Sequence, residues 1–297
     1  MNVLVTGNRG FLGRHFVPEL LTRYPETKLF VSNSEQNNLL EKLGNITNSE
    51  KLDFIYHFAA WTKAGDFCLY HPAEQWIKNQ KINTHILDYW RNYQPQATMV
   101  TMGTSCAYDP ELPMSVNNYG RGNVDPNLYS YAMTKRMTHT GVVAFNDQYS
   151  MNYQTWIPTM LCGPEFELED SHFIFDLIRK IYNGKYFGDK VVLWGDGHQK
   201  REIMYVKDAV KLMLDNIDKK NITYNLSTGK EYTIRYYAEK ICKELGYNSE
   251  KVVYDTDKFV GVRSKQLLPN LSYEPTSMDF VIKEMVNYYK ETIGEHN

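Results

Sequence analysis

The 297-residue sequence predicts an α/β protein with a Rossmann-type, doubly wound parallel sheet and a smaller mixed C-terminal domain. Two patterns support this class. Short apolar segments alternate with amphipathic segments through the first half of the chain, which is typical of strand–helix–strand units. After Gly163-Pro164 the alternation gives way to shorter segments. We therefore expect residues 1–163 to form one domain, with 206–227 returning to it, and 164–297 to form mainly a second.

The elements of the first domain follow from the spacing of its apolar residues. Short apolar runs predict strands at 3–6, 28–32, 53–59, 97–102 and 153–158. Amphipathic stretches predict helices at 11–23, 73–92 and 131–149. Because helices separate most of these strands, we expect the strands to pair in parallel.

The second part of the chain has fewer clear elements. The same patterns predict helices at 172–183, 206–217 and 233–245, and strands at 191–194 and 224–227. We expect strand 224–227 to rejoin the main sheet. The remaining tail is expected to be a smaller mixed region.

Composition and charge exclude several classes of protein. The net charge is −2 with acids and bases mixed, so the basic surface that nucleic-acid binding needs is missing. No apolar stretch approaches the roughly 20 residues of a membrane span, and MNVLVTG enters a strand with no charged leader. The four cysteines are scattered without metal-ligand spacing. We expect a cytoplasmic protein with reduced thiols and no metal, nucleic-acid or membrane partner.

The stretch GNRGFLG, residues 7–13, follows the first strand and has the form GxxGxxG. Its first glycine permits a tight turn, the second lets the backbone approach a pyrophosphate, and the third lets the next helix pack close to the sheet. Unpaired N–H groups at the start of that helix attract phosphate. We therefore predict that residues 1–163 bind a dinucleotide. The predicted contacts are Gly7, Arg9, Gly10, Phe11, Leu12, Gly13, Ser32, Asn33, Ala59 and Ala60.

The residues after the second strand bear on which dinucleotide is bound. An acid at the end of that strand binds the adenosine ribose and favours NAD. Here the strand ends at Ser32 and Asn33, which are neutral, and Glu35 comes slightly late. Arg9, in the glycine loop, is placed to meet a 2′-phosphate. We favour NADP(H) as the cofactor, with NAD(H) as the alternative.

Two further motifs contain groups for acid–base chemistry. GTSCAYD, residues 103–109, begins where the fourth strand ends, and Tyr131-Ala-Met-Thr-Lys135 has the YxxxK spacing that puts both side chains on one helix face. A lysine charge favours tyrosinate, which suits Tyr131 for exchanging a proton with a carbonyl or an alcohol. Position selects this pair, because its helix follows the strand that ends near Thr104. Spacing alone does not, since it is shared by Tyr24/Lys28, Tyr186/Lys190, Tyr236/Lys240, Tyr247/Lys251 and Tyr254/Lys258.

Together these motifs resemble the extended short-chain dehydrogenase/reductase family over nearly the whole chain. Within it they resemble the NADP-dependent branch that epimerises and reduces GDP-4-keto-6-deoxy-mannose in GDP-fucose biosynthesis. The stretches that carry the resemblance are GNRGFLG, GTSCAYD, YAMTK, PTMLCGPEFELEDSHFI, WGDGHQKRE with VKD, and NLSTGKEYTIRYYAEKI. The cysteine of GTSCAYD, combined with the histidine of DSHFI, is the most specific feature.

The resemblance implies a role for each of several residues. Thr104, four residues before Tyr108, takes the place of the catalytic hydroxyl beside Tyr131 and Lys135. Cys106 and His172 match the epimerisation pair. The implied substrate contacts are Ser105, Lys180, Trp194, Arg201 and Arg263.

A thiol and an imidazole suit inversion beside a ketone. The protons on C3 and C5 of a 4-keto sugar are acidic, and inversion removes a proton from one face and returns one to the other. Cysteine and histidine both titrate within reach of neutral pH. Taken singly, a cysteine near a strand end is more often a packing residue, and a histidine at a helix start a cap or a surface residue. By the resemblance, Cys106 takes the proton and His172 returns one, although the residues themselves leave that order open.

Departures from the family pattern leave the sugar open. Met160 and Cys162 stand where an asparagine and a tyrosine are usual, and the residues after the second strand lack the arginine often used for NADP. The segment DTDKFVGVRSKQL lacks the usual proline and acid after its lysine. The substrate could therefore contain a deoxyhexose, a heptose or a dideoxy sugar, linked to GDP or to another nucleotide.

Three other functions stay open as alternatives. One is a 4-ketoreductase that inverts no centre, and another is a dinucleotide-sensing protein without activity. A 4,6-dehydratase is less favoured, because Ser105 and Cys106 stand where those relatives have an acidic pair. The family is commonly dimeric through the YxxxK helix and the long helix before it, and a homodimer is expected through Trp76, Ile77, Trp90 and Met137.

Overall fold

The computed structural model describes residues 1–62, 67–168, 172–258 and 263–296. It divides into two compact units. The first unit comprises Met1–Pro158, Ala209–Leu226 and Leu268–Leu271, and the second comprises Thr159–Asp208, Ser227–Leu267 and Ser272–Asn297. Two parts of the matched stretches, residues 169–171 and 259–262, lie outside the described residues.

The secondary structure begins with a strand, as the sequence predicts. The strands of the described residues are β1 (Asn2–Thr6), β2 (Lys28–Ser32), β3 (Phe54–His57), β4 (Thr98–Met102), β5 (Tyr153–Pro158), β6 (Met160–Cys162), β7 (Val192–Trp194), β8 (Lys200–Arg201), β9 (Ile203–Tyr205), β10 (Ile222–Leu226), β11 (Tyr232–Thr233) and β12 (Val253–Asp255). The α-helices are α1 (Phe11–Arg23), α2 (Phe67–Tyr70), α3 (Pro72–Tyr93), α4 (Tyr129–Tyr149), α5 (Phe173–Tyr186), α6 (Val206–Asp215), α7 (Ile234–Leu245) and α8 (Met278–His296). No helix among the described residues is long and apolar enough to cross a bilayer.

The first unit is built on a six-stranded parallel sheet with the order β10-β5-β4-β3-β1-β2. This confirms the predicted Rossmann-type class. Strand β10 pairs with β5 at the edge of the sheet. The chain runs from β1 outward to β2 and then to β3 on the other side of β1. The carboxyl ends of β1 and β3 therefore flank a topological switch point, where open α/β sheets bind their ligands.

Apolar strands explain why this sheet forms the core of the first unit. All five residues of β4 are buried, as expected of a strand covered on both faces. Leu4, Ile55 and Met99 pack with Ile86 and Trp90 of α3 in one buried cluster. This packing holds α3 against the sheet beside the switch point.

The second unit contains three two-stranded sheets, β6-β9, β7-β12 and β8-β11, among its described residues. Its tail differs from the prediction, because α8 is a long helix rather than a mixed region. Buried residues such as Val281, Met285 and Tyr289 recur every four positions along α8, so the helical pattern is present among its polar residues. The short strands β6, β8, β9, β11 and β12 were also not predicted, since two or three residues carry no detectable periodicity.

Candidate active site

The glycine loop between β1 and α1 brings its backbone against the segment after β3. Gly7 has a φ of +69°, and a Cβ added there would lie 2.7 Å from the Ala59 nitrogen. A Cβ at Gly13 would lie 2.4 Å from the Gly7 carbonyl oxygen, so neither position accepts a side chain unless the loop opens. The Gly7 N–H donates to the Ser32 carbonyl at 2.9 Å. The buried Ser32 hydroxyl donates to the Asn37 carbonyl at 2.6 Å, so Ser32 supports the loop rather than offering its hydroxyl to a ligand.

The N-terminus of α1 suits an anion. Its N-cap is Gly10, which makes no side-chain cap, and the first turn contains no acidic residue. The N–H groups and the positive end of the helix dipole are therefore not neutralised by the helix itself. This arrangement fits the pyrophosphate of a dinucleotide. The other predicted contacts at this point, Phe11, Leu12, Ala59 and Ala60, are half-buried.

The segment after β2 folds back on the glycine loop. Asn33 Nδ2 donates to Asn8 Oδ1 at 3.3 Å, and Asn33 Oδ1 accepts the Glu35 N–H at 3.0 Å. The Glu35 carboxylate forms an ion pair with Arg9 at 2.7 Å, and both side chains are largely exposed. Glu35, the acid that follows β2, and Arg9 of the glycine loop are therefore in direct contact.

Hydrogen bonds from three separate segments hold the GTSCAYD loop after β4. The Thr104 N–H donates to the Tyr119 hydroxyl at 3.2 Å. The buried guanidinium of Arg136, on α4, donates to a carbonyl of the loop at 2.7 Å. The Tyr108 hydroxyl donates to Asn225 Oδ1 of β10 at 2.6 Å. The loop conformation is thus determined by contacts distant in sequence.

Thr104, Cys106 and Tyr131 come together at this loop. Thr104 caps a short 3-10 helix over Ser105–Ala107, and its Oγ1 accepts the Cys106 N–H at 3.3 Å. Burial has the largest effect on the pKa of Tyr131 and raises it, and the Cys106 and Cys68 thiols raise it further. A hydrogen bond with the Thr104 side chain acts in the opposite direction and lowers it. The Tyr131 phenol is therefore hydrogen-bonded to the Thr104 side chain and close enough to two thiols for them to affect its pKa.

Lys135 lies one turn after Tyr131 on α4 and is buried. Burial lowers the pKa of Lys135 to about 8. Its charge contributes, after burial, to lowering the pKa of His57 at the end of β3 to about 4. Burial has the largest effect on the pKa of Tyr131 and raises it, so the lowering that the YxxxK spacing predicts does not prevail.

The second unit places three predicted substrate contacts around the turn between β7 and β8. Trp194 ends β7 and is 56% exposed. One nitrogen of the Arg263 guanidinium donates to both carboxylate oxygens of Asp196, at 2.9 and 2.8 Å. Arg201 follows in β8 and is half-buried. The exposed indole, the guanidinium group in β8 and the guanidinium group paired with Asp196 of the turn suit a base and a diphosphate.

His172 directly precedes α5 and Lys180 lies within it, both in the second unit. His172 is the N-cap, and its carbonyl accepts the N–H groups of Phe175 and Asp176 at 3.0 Å each. Lys180 forms an ion pair with Asp176 at 2.8 Å. The two residues of the predicted epimerisation pair are therefore in different units, with Cys106 in the first.

The two departures from the family pattern, Met160 and Cys162, lie in β6. Cys162 is fully buried, and its Sγ donates to the Met204 carbonyl at 3.5 Å. Burial raises the pKa of this thiol. Cys162 is accordingly a packing residue rather than a replacement for a ligand-binding tyrosine.

Sequence patterns missed several residues that position the site. Tyr119 and Asn225 hold the GTSCAYD loop, but no local pattern marks them, since Asn225 is 117 residues from its partner Tyr108. His57 did have a signal. A histidine inside the apolar strand DFIYHFA indicates a buried polar group that needs partners.

Comparison with known proteins agrees with this geometry. The model of the NAD dependent epimerase/dehydratase family matches residues 3–227, which include the glycine loop and the Tyr131/Lys135 pair. The chain belongs to this family. Its members are NAD(P)-dependent enzymes. The pyrophosphate of such a cofactor fits the glycine loop and the N-terminus of α1.

Several relatives match most of the chain. GDP-L-colitose synthase of Yersinia pseudotuberculosis is 28% identical over 276 residues, which is 89% of this chain and 88% of that protein. GDP-L-fucose synthase of Escherichia coli strain K12 is 29% identical over 286 residues, which is 89% of this chain and 87% of that protein. A crystal structure of a GDP-L-fucose synthetase from Naegleria fowleri bound to NADP superposes with a TM-score of 0.84 at 22% identity, covering 99% of this chain and 95% of that one. That likeness shows a shared fold.

The buried charge of Lys135 predicts a gain in stability when it is removed. Because the pKa of about 8 in the folded protein lies below the ordinary 10.5, folding disfavours the charged form below pH 8, and the penalty fades between about pH 8 and 10.5. Lys135→Met keeps the side-chain length, so we expect a free energy of unfolding higher by roughly 1–3 kcal/mol at pH 7. The gain should shrink as the pH approaches 10.5.

Urea unfolding across this pH range measures the effect. Lys81→Met, an exposed lysine on α3, is the matched control and should change the free energy of unfolding by less than about 0.5 kcal/mol. A Lys135→Met protein less stable than the wild type at pH 7 contradicts the prediction.

Proposed function

We propose that the protein is an NADPH-dependent epimerase/reductase of a nucleotide-linked 4-keto-6-deoxy sugar, with GDP as the nucleotide. The grouping of Thr104, Cys106 and Tyr131 carries this proposal, because it puts a thiol beside the two hydroxyls suited to reducing a ketone. The names of both relatives, which are synthases of GDP-linked L-sugars, support GDP. The exposed Trp194, with Arg201 in β8 and Arg263 paired to the turn between β7 and β8, supports a nucleoside diphosphate.

Epimerisation needs two proton transfers on opposite faces of the sugar. Cys106 removes the acidic proton beside the ketone, and His172, at the start of α5, returns a proton on the other face. The assignment of His172 rests on its match in DSHFI. Tyr131 and Thr104 donate hydrogen bonds to the ketone oxygen and stabilise the enolate that forms between the two steps.

Reduction uses the same two hydroxyls. NADPH held at the glycine loop and the N-terminus of α1 would supply the hydride for C4 of the sugar. Tyr131 gives its phenolic proton to the oxygen on C4, which becomes a hydroxyl, while Thr104 holds that oxygen. Because burial raises the pKa of Tyr131, the phenol is protonated at neutral pH and is available as the acid for this step.

A 4-ketoreductase that inverts no centre is the nearest alternative. It needs the hydrogen bond between Thr104 and Tyr131 but no role for Cys106. The presence of the Cys106 thiol next to the phenol favours the epimerase/reductase. A dinucleotide sensor without activity is less favoured, because Tyr131, Lys135 and the hydroxyl partner are all in place.

Solvent deuterium exchange separates these functions. The protein is incubated with a panel of nucleoside diphosphate 4-keto-6-deoxy sugars in deuterium oxide, first without and then with NADPH. We expect deuterium at C3 or C5 without the reductant, and Cys106→Ala should slow that exchange at least about 100-fold because the base is lost. Its affinity for NADPH should stay unchanged, and mass spectrometry and NMR locate the deuterium.

Cys68→Ala is the matched control, since this thiol also lies near Tyr131. It should retain exchange. If the wild type reduces the sugar without any deuterium exchange, the protein is a 4-ketoreductase and the epimerase role of Cys106 is wrong. If it binds the cofactor but shows neither exchange nor reduction, the protein is a dinucleotide sensor.

The ion pair between Arg9 and Glu35 predicts how the cofactor is chosen. A 2′-phosphate competes with the Glu35 carboxylate for Arg9, so NADPH gains a contact that NADH lacks. We expect Arg9→Gln to raise the KM for NADPH about tenfold, the worth of one charged hydrogen bond, with little change for NADH. Glu35→Gln should lower the KM for NADPH. Equal losses with both cofactors in Arg9→Gln contradict this role.

We propose that the protein forms a homodimer through α3 and α4. Trp76, Ile77 and Met137 are 46%, 43% and 52% exposed. Trp76 and Ile77 line a surface depression with a volume of about 660 Å³. Trp90, which the sequence also suggested for the interface, is fully buried and donates to the Ala97 carbonyl at 2.9 Å, so it belongs to the core.

A charge on this surface tests the dimer. Ile77→Arg places a cation where two copies are proposed to meet, and we expect sedimentation equilibrium to show a monomer. Leu21→Arg, on α1, changes a side chain that is 36% exposed and should leave the mass of the assembly unchanged. A dimer that persists in Ile77→Arg, or a wild-type monomer, contradicts the proposal.

A further inference from the structure

Three buried amides of α3 lie along the segment that follows β3. Gln75, Asn79 and Asn83 are spaced by four residues, share one helix face and are 0%, 2% and 7% exposed. Asn79 binds both backbone groups of Trp61, accepting its N–H at 2.9 Å and donating to its carbonyl at 3.0 Å. Gln75 Nε2 donates to the Thr62 hydroxyl at 3.2 Å. Side chains of α3 therefore hold this segment where sheet pairing has ended.

The third amide, Asn83, belongs to a chain of hydrogen bonds that leads to the glycine loop. Asn83 Oδ1 lies 3.0 Å from His57 Nε2, and Thr6 Oγ1 lies 2.8 Å from His57 Nδ1. The Ala59 N–H donates to Thr6 Oγ1 at 3.2 Å. Because an amide oxygen only accepts, His57 carries its hydrogen on Nε2, and the Thr6 hydroxyl donates to Nδ1. One direction of donation satisfies all four groups.

This chain meets the cofactor site at one point. Thr6 is the last residue of β1, next to Gly7, and His57 is the last residue of β3. The Ala59 nitrogen is the atom that a Cβ on Gly7 would strike at 2.7 Å. Burial and the charge of Lys135 lower the pKa of His57 to about 4, so the imidazole stays neutral and keeps both hydrogen bonds at neutral pH.

We propose that the Thr6–His57–Asn83 chain positions the Ala59–Ala60 backbone against the glycine loop for the dinucleotide, which makes His57 a positioning residue of the cofactor site. The proposal rests on the proposed dinucleotide site. The Thr6 hydroxyl accepts the Ala59 N–H directly, at the point where this segment comes closest to Gly7. Loss of that hydroxyl frees the Ala59 N–H and leaves His57 Nδ1 without its donor.

Thr6→Val tests this role, because valine keeps the shape of threonine and removes only the hydroxyl. NADPH and NADH are each titrated against the full chain by fluorescence energy transfer from tryptophan. We expect the Kd of the bound nucleotide to rise about three- to tenfold, the worth of one positioning hydrogen bond, and Thr6→Ser to restore it. Thr101→Val removes a buried hydroxyl from β4 of the same sheet and should lower the Tm while leaving the Kd unchanged.

A double variant distinguishes positioning from general loss of stability. Asn83→Leu removes the hydrogen bond to His57 at the other end of the chain, so it should raise the Kd by a similar factor. This variant supplies the measurement if Thr6→Val does not fold. The pair Thr6→Val with Asn83→Leu should raise the Kd no further than Thr6→Val alone, because Asn83 reaches Ala59 only through His57 and the Thr6 hydroxyl. Additive effects, or an unchanged Kd in folded Thr6→Val, overturn the proposal. If the wild type binds neither NADPH nor NADH, the proposed function fails before this inference is reached.

Discussion

The contact between the glycine loop and the segment after β3 is the constraint on which the proposed cofactor half of the site depends. At Gly7 and Gly13 the neighbouring backbone atoms occupy the space of a side chain, so the loop closes only with glycine. Closing it brings the N-terminus of α1 to the carboxyl ends of β1 and β3, where the topology leaves a crevice. Glycine loses much conformational entropy on folding. Two hydrogen bonds, accepted by the Ser32 carbonyl and the Thr6 hydroxyl, offset part of that cost by holding both sides of the contact.

The GTSCAYD loop shows a similar dependence on distant partners. Tyr119, Arg136 and Asn225 come from three segments and each satisfies a polar group of the loop. A buried polar group left unpaired costs about 1–3 kcal/mol, so these contacts strongly favour one loop conformation. That conformation presents the Thr104 hydroxyl to Tyr131, and it puts the Cys106 thiol close enough to influence the same phenol.

Lys135 illustrates a conflict between stability and the proposed chemistry. Burying an ammonium group disfavours its charged form, which is why the pKa of Lys135 falls to about 8. A residue that lowers stability at neutral pH is typical of functional sites, where stability is commonly sacrificed. The neutral His57 nearby adds no second positive charge, which would make the burial of Lys135 still less favourable.

The sequence by itself determined the class of fold, the strands of the main sheet to within two residues at each end, and the glycine loop. These features depend on local apolar spacing and on glycine at fixed positions, which neighbouring residues reveal. Only the tertiary structure decided what each motif contacts. Tyr236 and Lys240 have the same spacing as Tyr131 and Lys135 and also lie on a helix, yet Lys240 pairs with Asp279 at 2.5 Å. Likewise, the partners of His57 come from β1 and α3, because long-range hydrogen bonds depend on where the chain returns rather than on local periodicity.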